Sequence, residues 1–258
     1  MLGAIAGDII GSIYENFHTK RKDFALFTPV SFFTDDTVLT AAVADAILAG
    51  RPYGEAIRSY ALRHPFRGYG GRFMKWMLLP WAKPYNSFGN GSAMRVSPVG
   101  WAFKTEDEVL EQAKLSAECT HNHPEGVKGA QAVALAVWLA RNRAGKEAIR
   151  KAVTERFSYD LSARLDDIRP AYRTDITCQG SVPEAIIAFL ESVDFEDAVR
   201  NAVSLGGDAD TQAAIAGSIA EAHYGGVPAP ILAEVRKRVS AKILDVVDRF
   251  RERFCLSR

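Results

Sequence analysis

Apolar residues recur along most of this chain at the three- and four-residue spacing of an α-helix. Residues 2–15 place Ile5, Ile9 and Ile13 on one face with Ala and Gly between them, a pattern typical of a buried helix. The same spacing predicts further helices over 35–49, 105–118, 125–143, 145–157, 183–192, 195–205, 209–223 and 228–254. Helices therefore dominate the predicted secondary structure.

Residue types at the helix ends support these boundaries. Thr34 is a typical N-cap before 35–49, and Gly50 stands where helices commonly end on a glycine. The run Thr-Glu-Asp-Glu at 105–108 resembles a capping box. Both signals indicate helices that begin and end within one or two residues of the predicted positions.

Strands contribute little to the predicted fold. Only 28–33, Thr-Pro-Val-Ser-Phe-Phe, looks strand-like, and it is too short to anchor a sheet. The absence of strand–helix alternation argues against a doubly wound sheet, and no fixed repeat indicates a solenoid. We therefore predict one all-α domain over 1–258, in which residues 158–181 form a long loop over one face.

Composition excludes several classes of protein. Hydrophobic residues make up 48% and the net charge is +1, so nothing global favours nucleic acid or anionic membranes, and an anionic ligand needs a local site. Cys119, Cys178 and Cys255 form no CxxC pair, and a reducing cytoplasm is the predicted compartment. Asp8 interrupts the apolar N-terminus, which lacks a basic segment, so neither a signal peptide nor a membrane span is predicted.

Two acid–hydroxyl clusters each lie at the start of a predicted Ala-rich helix. They are Thr-Asp-Asp-Thr at 34–37 and Gly-Gly-Asp-Ala-Asp-Thr at 206–211. Capping acids are the ordinary interpretation, which explains one Asp in each cluster better than it explains two. Oxygen ligands without Cys or His suit magnesium, manganese or calcium rather than zinc, and two such ions about 3.5–4 Å apart are a recognised arrangement for hydrolysis.

Three other segments have chemical potential beside an ordinary explanation. Residues 87–95 carry Gly, Asn and Ser that can present N–H groups to a phosphate, although Asn-Gly is more often a turn. Residues 120–125 contain His121 and His123, although a polar helix start at Pro124 is the more common reading. Residues 63–85 interleave basic and aromatic residues, which favours either nucleic-acid binding or, more simply, core packing beneath long basic stems.

Taken in order, these segments resemble the ADP-ribosylglycohydrolase family, which includes the enzymes that release ADP-ribose from arginine or serine and the activating glycohydrolase of dinitrogenase reductase. The resemblance covers about the first 230 residues. It is carried by GAIAGDIIGSIYE (3–15), FTDDT (33–37), GNGSAMR (89–95), THNHPEGVKGA (120–130) and GGDADTQAAIAGSIAEAHYG (206–225).

The resemblance implies a compact, single-domain, orthogonal helical bundle with two magnesium or manganese ions at its centre. The family's metal ligands fall on Thr34, Asp35, Asp36, Asp208, Asp210 and Thr211. Its active-site Glu falls on Glu15, its diphosphate loop on Asn90, Gly91 and Ser92 with Met94 beside it, and its substrate-binding His on His121. One departure from the family pattern is Ala209, because relatives often have Thr or Ser at this position. The side chain at this position is not a metal ligand in the family.

The predicted function is hydrolysis of the glycosidic bond between ADP-ribose and a protein side chain or small molecule. Asp35, Asp36, Asp210 and Glu15 are the candidate catalytic acids and bases, with their individual roles open. ADP-ribose and an ADP-ribosylated substrate are the predicted partners, without nucleic acid or membrane. One alternative is a non-catalytic ADP-ribose-binding or crystallin-like structural protein, although such a protein does not require all the acids of the two clusters. The other is a nucleic-acid-binding module built on 63–85, which the near-neutral charge disfavours.

Overall fold

The computed structural model describes residues 1–255, and helices account for most of them. The helices are α1 (Leu2–Gly11), α2 (Asp35–Ala49), α3 (Tyr53–Arg63), α4 (Gly71–Leu78), α5 (Gly91–Met94), α6 (Ser97–Ala102), α7 (Glu106–Glu118), α8 (Pro124–Arg141), α9 (Lys146–Phe157), α10 (Leu165–Ile168), α11 (Cys178–Leu190), α12 (Phe195–Val203), α13 (Ala209–Tyr224), α14 (Ala229–Arg238) and α15 (Ala241–Phe254). No strand forms within these residues, which confirms the predicted all-α fold.

Helix α13 lies at the centre of the molecule. Every residue from Ala209 to Glu221 is buried, and the helix is surrounded by α1, α8, α11 and α12. Its small side chains face every direction, so apolar character runs around the helix instead of along one stripe. The Ala-rich pattern in the sequence is explained by this close packing on all sides.

Helices α1 and α13 touch backbone to backbone along a glycine stripe. A Cβ placed on Gly3 would lie 2.1 Å from the Gly217 carbonyl oxygen, and one on Gly7 would lie 2.0 Å from that of Ala213. No side chain fits at either position, so glycine is required for this approach. The contact brings Asp8, which follows Gly7, to the end of α13 that carries the second acid cluster.

The local capping signals predicted two helices closely. The Thr34 hydroxyl accepts a hydrogen bond from the Asp36 N–H at 3.3 Å, and α2 ends at Gly50 in the left-handed conformation with φ of 63°. Helix α7 begins with a complete capping box between Thr105 and Glu108. Both predictions are confirmed, because these signals depend only on residues within one turn.

Two predictions near the N-terminus were wrong. The strand-like segment 28–33 is closed as a turn, with the Ser31 N–H donating to the Thr28 carbonyl and the Thr28 N–H donating to the Ser31 hydroxyl. The first helix ends at Gly11 instead of residue 15, and turns follow it. There the Ser12 hydroxyl donates back to the Ile9 carbonyl at 2.9 Å, a bond that competes with regular helix.

Two later boundaries also differ. The predicted helix 228–254 is α14 and α15, because Val239 is extended and the Ser240 hydroxyl caps the next helix by accepting from the Ile243 N–H. Helix α11 begins at Cys178, five residues before Pro183, since a proline in the second turn removes only one helical hydrogen bond. The predicted loop 158–181 therefore contains the short helix α10 and the start of α11.

The aromatic and basic segment 63–85 forms part of the core. Tyr69, Phe73, Trp76 and Met77 are buried, on or next to a helix, α4, that the sequence analysis did not predict. The Arg58 guanidinium lies 4.1 Å from the centre of the Trp76 ring.

None of the helices within residues 1–255 combines the length and apolar character that a bilayer span requires.

Candidate active site

A cavity of about 620 Å³ lies where the N-terminal ends of α2 and α13 meet. That volume is in the usual range for a small-molecule site. Its wall contains every site residue predicted from the sequence except Ser92, whose hydroxyl donates to the Gly126 carbonyl at 2.7 Å. A second cavity, of about 710 Å³, is lined by residues from 46–54, 102–119 and 253–254 and contains none of the predicted residues.

The two acid clusters form one group in space. Oxygen atoms of Asp8, Asp36 and Asp210 all lie within 4.8 Å of one another, as do oxygen atoms of Glu15, Asp208 and Asp210. The Thr211 hydroxyl donates to Asp36 Oδ2 at 3.4 Å across 175 residues of sequence. Asp210 belongs to both triads, so four of the five predicted acids lie in two adjoining sets of oxygen atoms. The fifth, Asp35, lies in the cavity wall but belongs to neither triad.

Asp8 is a site residue that the sequence analysis missed. It is fully buried and accepts hydrogen bonds from the Thr34 N–H at 3.0 Å and the Thr34 hydroxyl at 2.7 Å. It also accepts from the Thr37 N–H at 3.1 Å and from the Thr37 hydroxyl. The signal in the sequence is a lone acid inside an otherwise apolar helix, a position where an unpaired charge is rare.

The arrangement fits hard divalent cations. Asp36 Oδ1 is buried and has no hydrogen-bond partner within the described residues, while Oδ2 has only the hydroxyls of Thr34 and Thr211, at 3.3 and 3.4 Å. A buried carboxylate oxygen without a donor is unfavourable unless a cation neutralises it. Carboxylate and hydroxyl oxygens converging from several helices are the ligand type that magnesium and manganese prefer.

Burial and mutual repulsion set the electrostatics of the cluster. Burial, followed by neighbouring carboxylates, raises the pKa of Asp35, Asp36 and Asp210 well above the ordinary range for aspartate. Burial likewise raises the pKa of Asp208, of Glu15 and, to about 6, of Asp8. Without cations the cluster therefore retains protons at pH values where isolated carboxyls lose them.

Asn90 connects the opposite wall to the acids. Its side-chain amide donates to Asp208 Oδ2 at 2.7 Å and to the Ser181 hydroxyl at 3.2 Å. Its backbone N–H donates to the Ile176 carbonyl at 2.8 Å. The amide and the backbone N–H of Asn90 are therefore both bonded within the protein. Within the predicted diphosphate loop, this leaves Gly91 as the cavity-lining residue that a ligand can approach.

The two histidines of the 120–125 segment have separate surroundings. His121 lies in the cavity wall, and a Cβ on Gly91 would come within 3.1 Å of its Nε2. His123 Nδ1 instead accepts from the Glu125 N–H at 3.1 Å and caps α8. The polar helix start that the sequence favoured therefore describes His123, while His121, the substrate-binding position that the family resemblance implies, lies in the cavity wall.

Basic and aromatic side chains complete the cavity wall. Arg67 lies with its guanidinium 3.8 Å from the centre of the Phe33 ring, and Arg72 lies 5.1 Å from that of Tyr85. Met94 also lines the cavity, where its sulfur accepts from the Thr211 hydroxyl at 3.7 Å. The arginines were visible in the sequence only as part of the mixed 63–85 segment, and their position beside the acids depends on the tertiary fold.

Comparison with known proteins identifies the family of this chain. The sequence model of the ADP-ribosylglycohydrolase family matches residues 1–258. The ADP-ribosylhydrolase ARH3 of Mus musculus is 28% identical over 307 aligned residues, covering 87% of this chain and 82% of the relative. The ADP-ribosylarginine hydrolase Tri1 of Pseudomonas putida (strain GB-1) is 27% identical, covering 87% of this chain and 69% of the relative.

A solved structure shows the same fold. It is an ADP-ribosylglycohydrolase-related protein complex that superposes with a TM-score of 0.74 at 24% identity, covering 98% of this chain and 95% of the other. The match to the family extends over the whole sequence, including every motif that lines the cavity. The chain belongs to the ADP-ribosylglycohydrolase family.

Proposed function

We propose that this protein hydrolyses the glycosidic bond between ADP-ribose and a modified acceptor, either a protein side chain or a small molecule. The main supporting observation is a single cavity lined by five carboxylates together with a glycine-containing loop, a histidine and three arginines. Relatives named ADP-ribosylhydrolase and ADP-ribosylarginine hydrolase support the same reaction class.

Two divalent cations, magnesium or manganese, are part of this proposal. The proposed ligands are Thr34, Asp35, Asp36, Asp208, Asp210 and Thr211. The two oxygen triads that share Asp210, together with the unpartnered Asp36 Oδ1, support such a site. When bound, ions of this kind orient ribose hydroxyls and lower the pKa of a water molecule.

The protein's own carboxyls supply the proton transfers. Cleavage at the ribosyl carbon passes through an oxocarbenium-like transition state and requires a proton donor to the leaving group and a base toward water. Glu15 is the most exposed of the candidate acids and lies at the cavity edge, so it can exchange protons with solvent between turnovers. This exposure suits a donor that solvent reprotonates, which leaves Asp35, Asp36 and Asp210 as candidates for the base.

The residues of the cavity wall other than the acids are the candidates for substrate binding. Gly91 lets a diphosphate approach the backbone closely, while Asn90 positions the loop through Asp208. His121 offers a ring nitrogen with the positive charge of Arg72 near it, and Arg67 lines the cavity next to Asp35. Ser92 lies outside this wall, and its hydroxyl is bonded to the Gly126 carbonyl.

The decisive experiment measures free ADP-ribose released from ADP-ribosylated arginine and serine peptides. The protein is assayed with magnesium, with manganese and with EDTA, and calorimetry measures ADP-ribose binding in parallel. Metal-dependent release from either peptide supports the proposal, and the preferred peptide identifies the linkage. Binding without release on any substrate would establish the non-catalytic alternative, and the absence of both would indicate a structural protein.

A further inference from the structure

We propose that Arg95 and Thr120 are positioning residues that hold His121 as a neutral imidazole with its proton on Nε2, aimed into the cavity as a hydrogen-bond donor to the ligand. The identity of that ligand, ADP-ribose, rests on the proposed function. The position of the proton does not, because it follows from hydrogen bonds within the protein.

The chain of hydrogen bonds starts at Arg95, a fully buried residue of the cavity wall. Its Nη2 donates to the Ser116 carbonyl at 2.9 Å and to the Thr120 hydroxyl oxygen at 2.8 Å. A guanidinium can only donate hydrogen bonds. The Thr120 oxygen is therefore the acceptor in this contact, and its own hydrogen remains available for another partner.

The Thr120 hydrogen has two neighbouring acceptors of unequal strength. The Thr120 oxygen lies 2.7 Å from His121 Nδ1, and the same hydroxyl also contacts the Cys119 sulfur. If Nδ1 carried a proton, the Thr120 oxygen would accept twice and its own hydrogen would have only that sulfur, which is a weak acceptor. A poorly satisfied buried donor is unfavourable, so the hydroxyl donates and Nδ1 accepts.

An accepting Nδ1 on a neutral ring places the proton on Nε2. Burial, and then the nearby cations Arg95 and Arg72, lower the pKa of His121 well below its usual value, so the ring is neutral near physiological pH. The Nε2 atom lies 3.1 Å from a Cβ placed on Gly91 and 3.7 Å from one placed on Gly89. The two glycines leave the Nε2–H unobstructed toward the cavity.

The protein contains internal references for both tautomers. His64 Nδ1 lies 2.9 Å from the Tyr60 carbonyl, which only accepts, so His64 carries its proton on Nδ1 when neutral. His123 Nδ1 accepts from the Glu125 N–H, so His123 carries its proton on Nε2. One spectrum can therefore compare His121 with a histidine of each kind.

The first test is long-range ¹H–¹⁵N NMR of ¹⁵N-histidine-labelled protein without ligand, with His121 assigned by its loss in His121→Gln. We expect Nδ1 of His121 to resonate as an unprotonated nitrogen and Nε2 as a protonated one, matching His123 and opposing His64. Thr120→Ser keeps the hydroxyl and should keep this pattern, whereas Thr120→Val should give mixed tautomers. A protonated Nδ1 in the wild type, or an unchanged pattern in a folded Thr120→Val protein, overturns the inference.

The second test is ADP-ribose affinity, measured by calorimetry on the same variants. Loss of one oriented donor predicts about tenfold weaker binding by Thr120→Val and little change for Thr120→Ser. Equal affinity of these two variants overturns the role in binding. Failure of wild type to bind ADP-ribose, with the expected tautomer present, instead counts against the proposed function. The wild-type spectrum still decides the proton position if Thr120→Val does not fold.

Discussion

The N-terminal ends of α2 and α13 have the same chemistry but different support. At α2, the Thr34 hydroxyl accepts from the Asp36 N–H, and Asp8 accepts from the backbone of Thr34 and Thr37. At α13, the N-cap is Asp208, whose side chain caps nothing and instead accepts from the Asn90 amide. One helix start is held by an acid from the neighbouring helix, and the other is held by an amide across the cavity.

This difference bears on the interpretation of the acids as helix caps. Thr34 and Asp8 accept the hydrogen bonds at the start of α2. The Asp36 side chain therefore makes no capping hydrogen bond, and its Oδ1 has no partner within the described residues. At α13 the Asp208 side chain makes no capping hydrogen bond either, and Asp210 accepts from the adjacent Thr211 N–H at 2.9 Å. The helix dipole still favours negative charge at both ends, but neither helix requires Asp36 or Asp210 as a cap.

The largest expected effect is the loss of turnover in Asp36→Asn and Asp210→Asn. Each substitution removes a proposed cation ligand and a candidate base, so we expect a fall of about a thousandfold. Each also removes repulsion among buried acids, so the melting temperature in EDTA should be unchanged or higher. The rise in melting temperature on adding magnesium or manganese should be mostly lost. Melting curves and the ADP-ribose release assay measure all three quantities.

Asp194 provides the matched control, because it is a true capping acid. Its side chain accepts from the Asp197 N–H at 2.8 Å at the start of α12. Asp194→Ala should reduce stability by about 1 kcal/mol with or without metal and leave turnover intact. If Asp36→Asn and Asp210→Asn behave like this control, the acids are structural and the hydrolase proposal is wrong.

The next largest effect is expected at Asp8, which supports only the α2 end. Asp8→Ala leaves the N–H groups of Thr34 and Thr37 without their acceptor, which predicts a loss of about 2–4 kcal/mol. Urea unfolding in EDTA should be measured below the Asp8 pKa of about 6, where the carboxyl is neutral and charge repulsion does not compensate. Asn90→Ala, which removes the corresponding support from α13, should lose less, about 1 kcal/mol. Equal losses would show that the two helix ends are supported alike.

The sequence predicted those parts of the site that depend on local signals. Asp36 and Asp210 stand next to caps and before apolar runs, so both of their helices form as predicted, and both side chains line the cavity. Asp8 was missed because its partners Thr34 and Thr37 follow 26 and 29 residues later. Arg95 was named within a motif, yet its burial depends on the Ser116 carbonyl and the Thr120 hydroxyl of α7 and the turn after it. Both contacts join segments more than 20 residues apart, so the spacing of residues in the sequence does not predict them.

A smaller effect is expected in the dependence of stability on pH without metal. The pKa of Asp36 in the folded protein is raised, so its contribution is fully present below the unfolded aspartate pKa and is lost as pH rises through the folded value. Wild type and Asp36→Asn in EDTA should therefore melt alike in acid, and wild type should fall below the variant as pH rises. Adding manganese at neutral pH should reverse the order. Parallel curves at every pH would contradict the raised pKa.

The smallest effect is expected at Gly91. This residue lies in the cavity wall next to Asn90, whose side chain donates to Asp208 at the start of α13. A Cβ there would lie 3.1 Å from His121 Nε2 and 3.3 Å from Cε1, so the ring must move by a few tenths of an ångström. Gly91 is helical and has no positive φ, so Gly91→Ala should keep or slightly raise the melting temperature, by about 0.5–1 kcal/mol in stability.

The same substitution should weaken ADP-ribose binding by about threefold to tenfold, because the added methyl group occupies the space between the loop and the donor on His121. Gly91→Val should weaken it further. Gly70→Ala is the control, since Gly70 also lines the cavity but a Cβ there would meet nothing within 4 Å. Calorimetry of the three variants separates the possibilities: equal affinities place the ligand away from Gly91, whereas a loss confined to Gly91 places it between this loop and His121.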